Sequence, residues 1–387
     1  MTSSSSFDLQ SSRPRVAIVH DWLYGGGAEL VVEQLHKMYP EAPIYATFAT
    51  QEWRERLDNK VVTGILGVWP FNKLHKFTGI LRIFWYSSLR FTDYDIVISS
   101  SGAEAKGIKV PKGVLHINYC HAPTHYYWSR YDEYMHNPGL GALNWLGRIG
   151  LKLLAAPLRR WDLRAAKRPH YIIANSTHIQ KEIKKYYKRA SVVIFPPVGL
   201  ERFNKPEYRR LAKKGLIISG RQVPYKRFDL AIVACTKLGI PLTVIGGGPD
   251  NKRLRALAGK SITFLGRVSD AVLEEEFARA EGLIFPGLED FGITAVEALA
   301  AGTPVIAYKA GGAFDYIKPG VTGEFFTAQN VTSLAKVLHG FNGKQYSSAA
   351  IRAFAQRFSE QAFQKNMRTF IEKANLDFRK KVYYHDS

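Results

Sequence analysis

The chain has 387 residues, of which 46% are hydrophobic and 22% are charged. This length exceeds what one hydrophobic core usually serves, so two domains are expected, and the ordinary charged fraction excludes a globally disordered chain. The formal net charge of +21 predicts an anionic partner or surface, with nucleic acid, anionic lipid and phosphorylated substrates as candidates.

The cysteines and the first residues bear on where the protein works. Cys120 and Cys235 lie far apart in apolar segments, without metal-ligand spacing, and we expect inert thiols in a reducing compartment. Residues 1–12 are rich in serine and predict a disordered tail rather than a signal peptide. No uninterrupted run of about 18 apolar residues occurs, so no transmembrane helix is predicted. We therefore expect a cytoplasmic protein.

The first half opens with a short apolar run, Val16–Val19, followed by three glycines at 25–27 and a helical pattern. This order of strand, glycine loop and helix is typical of a βα unit. Helical patterns separate the next apolar runs, which we predict to be strands: Ile44–Phe48, Ile96–Ser99, Leu115–Tyr119 and Tyr171–Ala174.

The same alternation restarts in the second half, with predicted strands at Leu216–Ser219, Leu242–Ile245, Ile262–Leu265, Leu283–Phe285 and Val305–Ala307. Alternating strands and helices predict a parallel sheet covered by helices on both faces. The chain ends in an amphipathic pattern from Ser359, a candidate N-cap, to about Asn375.

The predicted fold class is therefore α/β, with two doubly wound, Rossmann-like domains that face a central cleft. The expected boundaries are an N-terminal domain over 13–198, a linker over 199–214, a C-terminal domain over 215–358 and a helix over 359–387 that crosses back to the N-terminal domain. Open parallel sheets bind ligands beyond the carboxyl ends of their strands, so the chemistry is expected between the two domains.

The densest motif runs from Phe285 to Leu299. Gly292 precedes a predicted helix, and the free amides of Ile293 and Thr294 at the helix start would bind a diphosphate or a sugar hydroxyl. Two acids complete the motif. Glu289 lies in the loop and faces the cleft, and Glu297 lies one turn into the helix, where a carboxylate can accept ribose hydroxyls.

Two further loops of the second half carry candidate ligands. Arg221 and Lys226 follow the first strand, where two cations would neutralise a diphosphate leaving group. Gly266 ends another strand, and the backbone around Arg267 and Val268 would then meet a nucleobase edge. Arg227 is expected to face solvent.

The first half supplies the opposite wall. Gly26 and Gly27 allow close backbone approach to a phosphate or a sugar, although the loop is neither a dinucleotide fingerprint nor a P-loop. His121 follows a strand end, where it could hydrogen-bond a sugar or exchange a proton with it. His125 is interpreted as a structural residue.

Two stretches combine tryptophan with basic residues, one running from Val68 to Arg90 and one from Leu143 to Trp161. Apolar helical faces flanked by lysine and arginine suit an interface with anionic lipid. Core-facing helices with solvated basic ends remain the alternative. Nucleic acid is not expected as a partner, because no fold signature for it occurs.

In these motifs the chain resembles glycosyltransferase family 4, the retaining GT-B enzymes, from about residue 15 to about residue 374. The matching segments are His20-Asp-Trp-Leu, Gly26-Gly-Ala-Glu, Tyr119-Cys-His-Ala-Pro, Ser219–Arg227, Phe264-Leu-Gly-Arg-Val and Pro286–Gly312. One departure is Asp290, which stands where many members have glycine.

This resemblance implies that Glu297 binds the ribose and that Arg221 and Lys226 bind the diphosphate. Glu289, His121 and the 291–294 backbone would contact the donor sugar. The implied activity is retaining transfer of a hexose, with a mannose-like donor favoured, from a nucleotide-diphosphate sugar to a saccharide or lipid-linked acceptor. Surface polysaccharide synthesis at the inner face of the membrane is the expected setting.

No cofactor and no metal are expected, because none of the site motifs described above contains an Asp-x-Asp metal signature. Two alternatives stay open at this point. One is a nucleotide-sugar epimerase of the same fold, and the other is a non-catalytic basic module that binds membrane or nucleic acid.

Overall fold

The computed structural model describes residues 14–69, 78–136, 138 and 141–385. The predicted tail over 1–12 and part of the first tryptophan-rich stretch, residues 70–77, lie outside the described residues. The described residues form two parallel sheets, one of seven strands and one of six. The predicted α/β class with two doubly wound sheets is confirmed.

The first sheet has the order β3-β2-β1-β4-β5-β6-β7, and every pairing in it is parallel. Its strands are β1 (Val16–His20), β2 (Ile44–Ala46), β3 (Val61–Val62), β4 (Ile96–Ser101), β5 (Leu115–Cys120), β6 (Tyr171–Ala174) and β7 (Val192–Val193). Together with its helices this sheet is called the first lobe.

The second sheet has the order β10-β9-β8-β11-β12-β13 and is also parallel throughout. Its strands are β8 (Leu216–Ser219), β9 (Leu242–Ile245), β10 (Ile262–Gly266), β11 (Gly282–Phe285), β12 (Val305–Tyr308) and β13 (Gly323–Phe326). This sheet and its helices form the second lobe.

Helices cover both sheets. In chain order they are α1 (Ala28–Met38), α2 (Gln51–Arg56), α3 (Gly79–Ser88), α4 (Tyr131–His136), α5 (Asn144–Ala165), α6 (Thr177–Glu182), α7 (Phe228–Leu238), α8 (Asn251–Ala256), α9 (Asp270–Arg279), α10 (Ile293–Ala300), α11 (Ala313–Tyr316), α12 (Val331–Gly340), α13 (Ser348–Ala355) and α14 (Glu360–His385). Within the described residues, no helix combines the length and the apolar character needed to cross a bilayer.

Helix α14 starts beside the second lobe and packs against the first. Ser359 caps it, as predicted, because its hydroxyl accepts a hydrogen bond from the amide of Ala362 at 3.1 Å. The apolar face then enters the core of the first lobe, with Phe363, Met367 and Ile371 buried among strand residues. The helix runs to His385, ten residues past the end of the amphipathic pattern at Asn375, and Phe378 also reaches this core.

The segment predicted as a linker is partly built into the second lobe. Leu200 and Phe203 are buried in a hydrophobic core of the second lobe, and residues 201–203 form a 3-10 turn. Val198 pairs with Ser359 in an isolated bridge, so both chain crossings between the lobes run side by side.

Candidate functional site

The two lobes meet at the carboxyl ends of their strands. Gly27, in the loop after β1, lies so close to α10 that a Cβ at this position would be 2.2 Å from the Cδ1 atom of Ile293. Phe195 stacks on Phe291 with ring centroids 6.0 Å apart. The structure thus brings two of the sequence-predicted residues, Gly27 and Ile293, together across the cleft.

Helix α10 presents its amino end to this cleft because of Gly292. Gly292 has a φ of 102°, and a Cβ there would lie 2.6 Å from the Tyr316 hydroxyl. Only glycine meets both conditions without strain. Among the described residues, no protein group accepts a hydrogen bond from the amides of Ile293 and Thr294, which lie in the first turn. The helix start can therefore bind an anion or a hydroxyl oxygen.

Lys226 and Glu289 form an ion pair beside this helix start. The ammonium nitrogen lies 2.8 Å from Glu289 Oε1, and both side chains are about four-fifths buried. The loop after β11 therefore meets the 3-10 turn after β8, at residues 224–226. An anion bound in this position would compete with Glu289 for the lysine.

The other cation predicted to bind the diphosphate is Arg221. Its side chain is exposed, and Glu289 forms its ion pair with Lys226 instead. Arg227 corrects the expectation of a solvent-facing side chain. It adopts a φ of 53° and forms an ion pair with Asp229 at 3.1 Å, which fixes the start of α7.

Glu297 is engaged by an arginine that the sequence did not single out. Its Oε1 atom accepts a hydrogen bond of 2.6 Å from Arg202, which also lies 3.2 Å from Asp270. Burial raises the pKa of Glu297, and the Arg202 guanidinium partly offsets that effect. One carboxylate oxygen of Glu297 thus already accepts a hydrogen bond from the protein.

The other residues of the second lobe that the sequence predicted to contact the nucleotide are Gly266, Arg267 and Val268. Gly266 has a φ of 71°, and its carbonyl accepts a hydrogen bond of 2.7 Å from the Gly246 amide. Arg267 is exposed and lies over Gly247, whereas Val268 packs against a hydrophobic core of the second lobe.

On the first lobe, the loop predicted to approach a phosphate is closed by its own helix. Glu29 accepts hydrogen bonds from the amides of Tyr24 at 3.3 Å and Gly25 at 3.0 Å. A Cβ at Gly26 would lie 3.1 Å from Glu29 Oε2, so this carboxylate fills the inside of the loop. The Gly25 amide is therefore used by the protein itself.

His121 lies at the end of β5, as expected. Its Nε2 atom is 2.8 Å from the Ser100 hydroxyl, and its carbonyl accepts a hydrogen bond of 2.9 Å from Asn175. Burial, helped by the neighbouring His20, lowers the pKa of His121 to about 3. The charge of Asp290, from the second lobe, acts on it in the opposite direction. At neutral pH His121 is therefore an uncharged imidazole that can donate one hydrogen bond and accept another.

Besides Glu289 Oε1, whose contact with Lys226 is an ion pair without hydrogen-bond geometry, two buried polar atoms near the cleft have no hydrogen-bond partner among the described residues. They are Asn175 Oδ1, directly after β6, and the Tyr316 hydroxyl, directly behind Gly292. A buried polar group without a partner is destabilising, so such atoms mark places where a ligand or water binds. Neither residue stands out in the sequence, because nothing in its neighbourhood shows that its side chain is buried.

Comparison with known proteins agrees with this architecture. The profile described as Glycosyltransferase Family 4 matches residues 25–202, and the profile described as Glycosyl transferases group 1 matches residues 201–365. The chain belongs to glycosyltransferase family 4. The two profiles meet where the chain crosses between the lobes.

Solved structures share the fold over nearly the full chain. The structure of Anabaena HepE with UDP-glucose has a TM-score of 0.67 at 18% identity and covers 93% of this chain and 100% of that one. Sucrose-phosphate synthase from Thermosynechococcus elongatus has a TM-score of 0.66 at 16% identity and covers 93% and 99%. The predicted GT-B fold is confirmed.

Curated relatives of this family 4 protein match over shorter segments. The D-inositol 3-phosphate glycosyltransferase of Streptomyces avermitilis is 28% identical over 221 residues, 49% of this chain and 48% of the relative. The enzyme of that description from Mycobacterium tuberculosis is 30% identical over 188 residues, 41% and 39% of the two chains. The matched segment thus spans less than half the length of these relatives.

Proposed function

We propose that this protein is a retaining glycosyltransferase that transfers a hexose from a nucleotide-diphosphate sugar. The observation that carries the proposal is the convergence of the Lys226–Glu289 ion pair with the unpartnered amides of Ile293 and Thr294. Together they provide one cation and two oriented donors at the carboxyl edge of the second sheet. This is the arrangement that a diphosphate requires.

In this proposal the chemistry is electrostatic. Charge develops on the diphosphate as the glycosidic bond to the sugar breaks, and Lys226, Arg221 and the start of α10 would stabilise it. Preorganised donors of this kind are usually the largest contribution to catalysis. Glu297, held by Arg202, would accept a hydrogen bond from the ribose. The uncharged His121 on the first lobe would bind the transferred sugar.

The most direct test compares Lys226→Ala with Lys237→Ala, an exposed lysine on α7. A thermal-shift panel of nucleoside diphosphates and nucleotide sugars first identifies the donor, because ligands that bind the folded state raise its unfolding temperature. We expect Lys226→Ala to abolish the shift and to slow transfer by about 100-fold or more, as loss of a transition-state donor does. Lys237→Ala should behave as the unaltered protein. Normal transfer by Lys226→Ala would refute the assignment.

Two outcomes would favour the alternatives. An epimer formed from the nucleotide sugar without an acceptor would identify an epimerase. Tight, salt-sensitive binding to polyanions without any nucleotide-sugar affinity would identify a non-catalytic module. The panel also tests the mannose-like donor, for which the family resemblance is the sole support.

We further propose that the acceptor is lipid-linked, within surface polysaccharide synthesis, and that the protein works at the inner face of the membrane. Two helices of the first lobe support this by exposing apolar side chains to solvent. Helix α3 exposes Ile80, Leu81 and Phe84, and α5 exposes Trp145, Leu146, Ile149 and Leu153. Exposed basic residues on α5, Arg148 and Lys152, flank this face. Such a combination favours the interface of an anionic bilayer.

Not every residue of the two tryptophan-rich stretches supports this surface. Arg82 is buried and pairs with Glu104 at 3.1 Å, and Trp161 packs against Gly107. Replacing Leu153 and Trp145 by serine should weaken binding to phosphatidylglycerol vesicles by at least about 100-fold, since burial of each large apolar side chain provides ~1.5–3 kcal/mol. The control Leu376→Ser, also exposed, lies on α14 and should bind normally.

A further inference from the structure

A basic region lies on the first lobe at the edge of the sheet that faces away from the cleft. A cavity of about 270 Å³ is lined there by the segment 108–112 together with Arg168 and His170. The segment leads into β5, and His170 directly precedes β6, so the cavity lies at the amino ends of these parallel strands. The cleft between the lobes lies at the carboxyl ends of these strands.

The cavity is rich in positive charge. Lys109 and Lys112 line it from one side and are exposed, and Arg168 and His170 line it from the other. Three more cations act on these groups from nearby, namely Arg164, Arg189 and Lys381. The region therefore gathers basic residues from the 108–112 segment, the end of α5, the segment before β7 and helix α14.

The arginines of this region are held by neutral acceptors. Arg168 donates a hydrogen bond to the carbonyl of Gly107. Arg189 donates to the carbonyls of Ala166 and Pro169, each at 2.9 Å. Backbone carbonyls orient a guanidinium group but leave its positive charge uncompensated. Both side chains are therefore fixed in place before any anion arrives.

The pKa values of Arg168, His170 and His116 are all lowered, as expected where positive charges lie close together. Burial lowers the pKa of Arg168, and the charge of Arg164 lowers it further. For His170, burial has the largest effect and the charges of Arg189 and Lys381 add to it. The buried His116 beneath them has a pKa lowered to about 3, first by burial and then by His170, Arg168 and Arg189. Each charged neighbour acting on these three groups is a cation, which is the environment that a bound anion stabilises.

We propose that this cavity binds a phosphate group, carried either by an anionic lipid headgroup or by a soluble phosphate. Its volume is far above the ~10–15 Å³ that one water needs, so a substituted phosphate fits. A fixed guanidinium together with two lysine ammonium groups is a common phosphate-binding set. Arg168 lies three residues beyond α5, whose outward face carries exposed apolar side chains.

The experiment uses the full chain with Lys109→Glu and Lys112→Glu combined. Both side chains are exposed, so the fold should tolerate the change. Unfolding temperature is compared in inorganic phosphate and in chloride at equal ionic strength, with a saturating nucleoside diphosphate present to fill the cleft. Vesicle binding is measured by co-sedimentation with phosphatidylglycerol and with phosphatidylcholine. The matched control, Lys336→Glu with Lys344→Glu, changes the net charge equally on exposed positions of the second lobe.

We expect the control to retain the phosphate-dependent rise in unfolding temperature and the cavity variant to lose it. If the cavity variant also binds phosphatidylglycerol at least about tenfold more weakly, the physiological source is a lipid headgroup, since each basic residue near an anionic surface contributes ~1 kcal/mol. If vesicle binding is unchanged, the source is a soluble phosphate. A phosphate-dependent rise that survives in the cavity variant, or that is missing from the unaltered protein, overturns the proposal. Glycosyl transfer to a soluble acceptor should be equal in all three proteins.

Discussion

His125 Nε2 lies 2.8 Å from Asp290 Oδ2, and this contact joins the two lobes across the cleft. Arg130, from the same loop as His125, reaches the Leu288 carbonyl at 3.3 Å and stacks on Tyr225 at 4.7 Å. Burial raises the pKa of Asp290, but His125, Arg130 and His178 together lower it by more, so the net shift is downward. A charged Asp290 thus connects the loop after β11 to the first lobe, and His125 contributes to the arrangement of the site.

Asp290→Gly, which introduces the residue typical of the family, should loosen the contact between the lobes. We expect a larger radius of gyration by small-angle scattering and several-fold faster hydrolysis of the donor without acceptor, because an open cleft admits water. Asp229→Asn is a suitable control, since Asp229 pairs with Arg227 inside the second lobe. Identical scattering and hydrolysis in the two variants would remove Asp290 from any role in closure.

Glu297→Gln should weaken nucleoside-diphosphate binding by about 10- to 100-fold, the range expected when a charged hydrogen bond of ~1.5–3 kcal/mol is lost. Calorimetric titration measures the change. Glu372→Gln removes an exposed carboxylate of α14 and should leave the affinity unaltered. If Glu297→Gln binds normally but unfolds at a lower temperature, then the carboxylate serves only the ion pair with Arg202.

Gly292→Ala should destabilise the second lobe by ~1–3 kcal/mol, the usual cost of a side chain in the left-handed region. The new methyl group would also collide with Tyr316, so adding Tyr316→Phe should recover part of the loss. Urea unfolding followed by fluorescence measures both. Gly340→Ala is the control, because space around that position is open. Equal stability of Gly292→Ala and Gly340→Ala would contradict the backbone argument.

His116→Gln should make stability less sensitive to acid. The folded-state pKa of His116 is about 3 against an ordinary value of 6.5, so the unfolded chain binds more protons between these values. Stability from this group is complete above pH 6.5 and declines as pH falls, by up to about 1.4 kcal/mol per pH unit. Unfolding at several pH values between 4 and 7 should show a shallower decline in His116→Gln than in His339→Gln, an exposed control. Parallel profiles would show that His116 does not titrate on unfolding.

Strands and helix caps that have a strong local sequence pattern are predicted well from the sequence. Tyr171–Ala174, Leu216–Ser219 and Leu242–Ile245 have the predicted bounds because each is a short buried run between clear helices. The edge strands β3 and β7 were not predicted, since two residues carry no periodicity. The N-cap at Ser359 was predicted because capping depends on neighbours in the chain.

Contacts between distant segments could not be predicted in this way. The Arg202–Glu297 pair spans 95 positions and His125–Asp290 spans 165, and no local pattern records which loops face each other. Glu297 and Asp290 were noticed for their motif, but their partners became visible only with the fold. The same holds for Arg227, whose partner Asp229 is close in sequence but depends on a left-handed turn.

The path of α14 has a consequence for synthesis on the ribosome. Phe363, Met367 and Phe378 complete the core of the first lobe, yet they emerge after every strand of the second lobe. In the nascent chain, the apolar surface beside α1 that α14 covers therefore stays exposed while the second lobe is synthesised. The first lobe, although it is synthesised first, completes its core last. Chaperone dependence during translation should accordingly concentrate on the amino-terminal half.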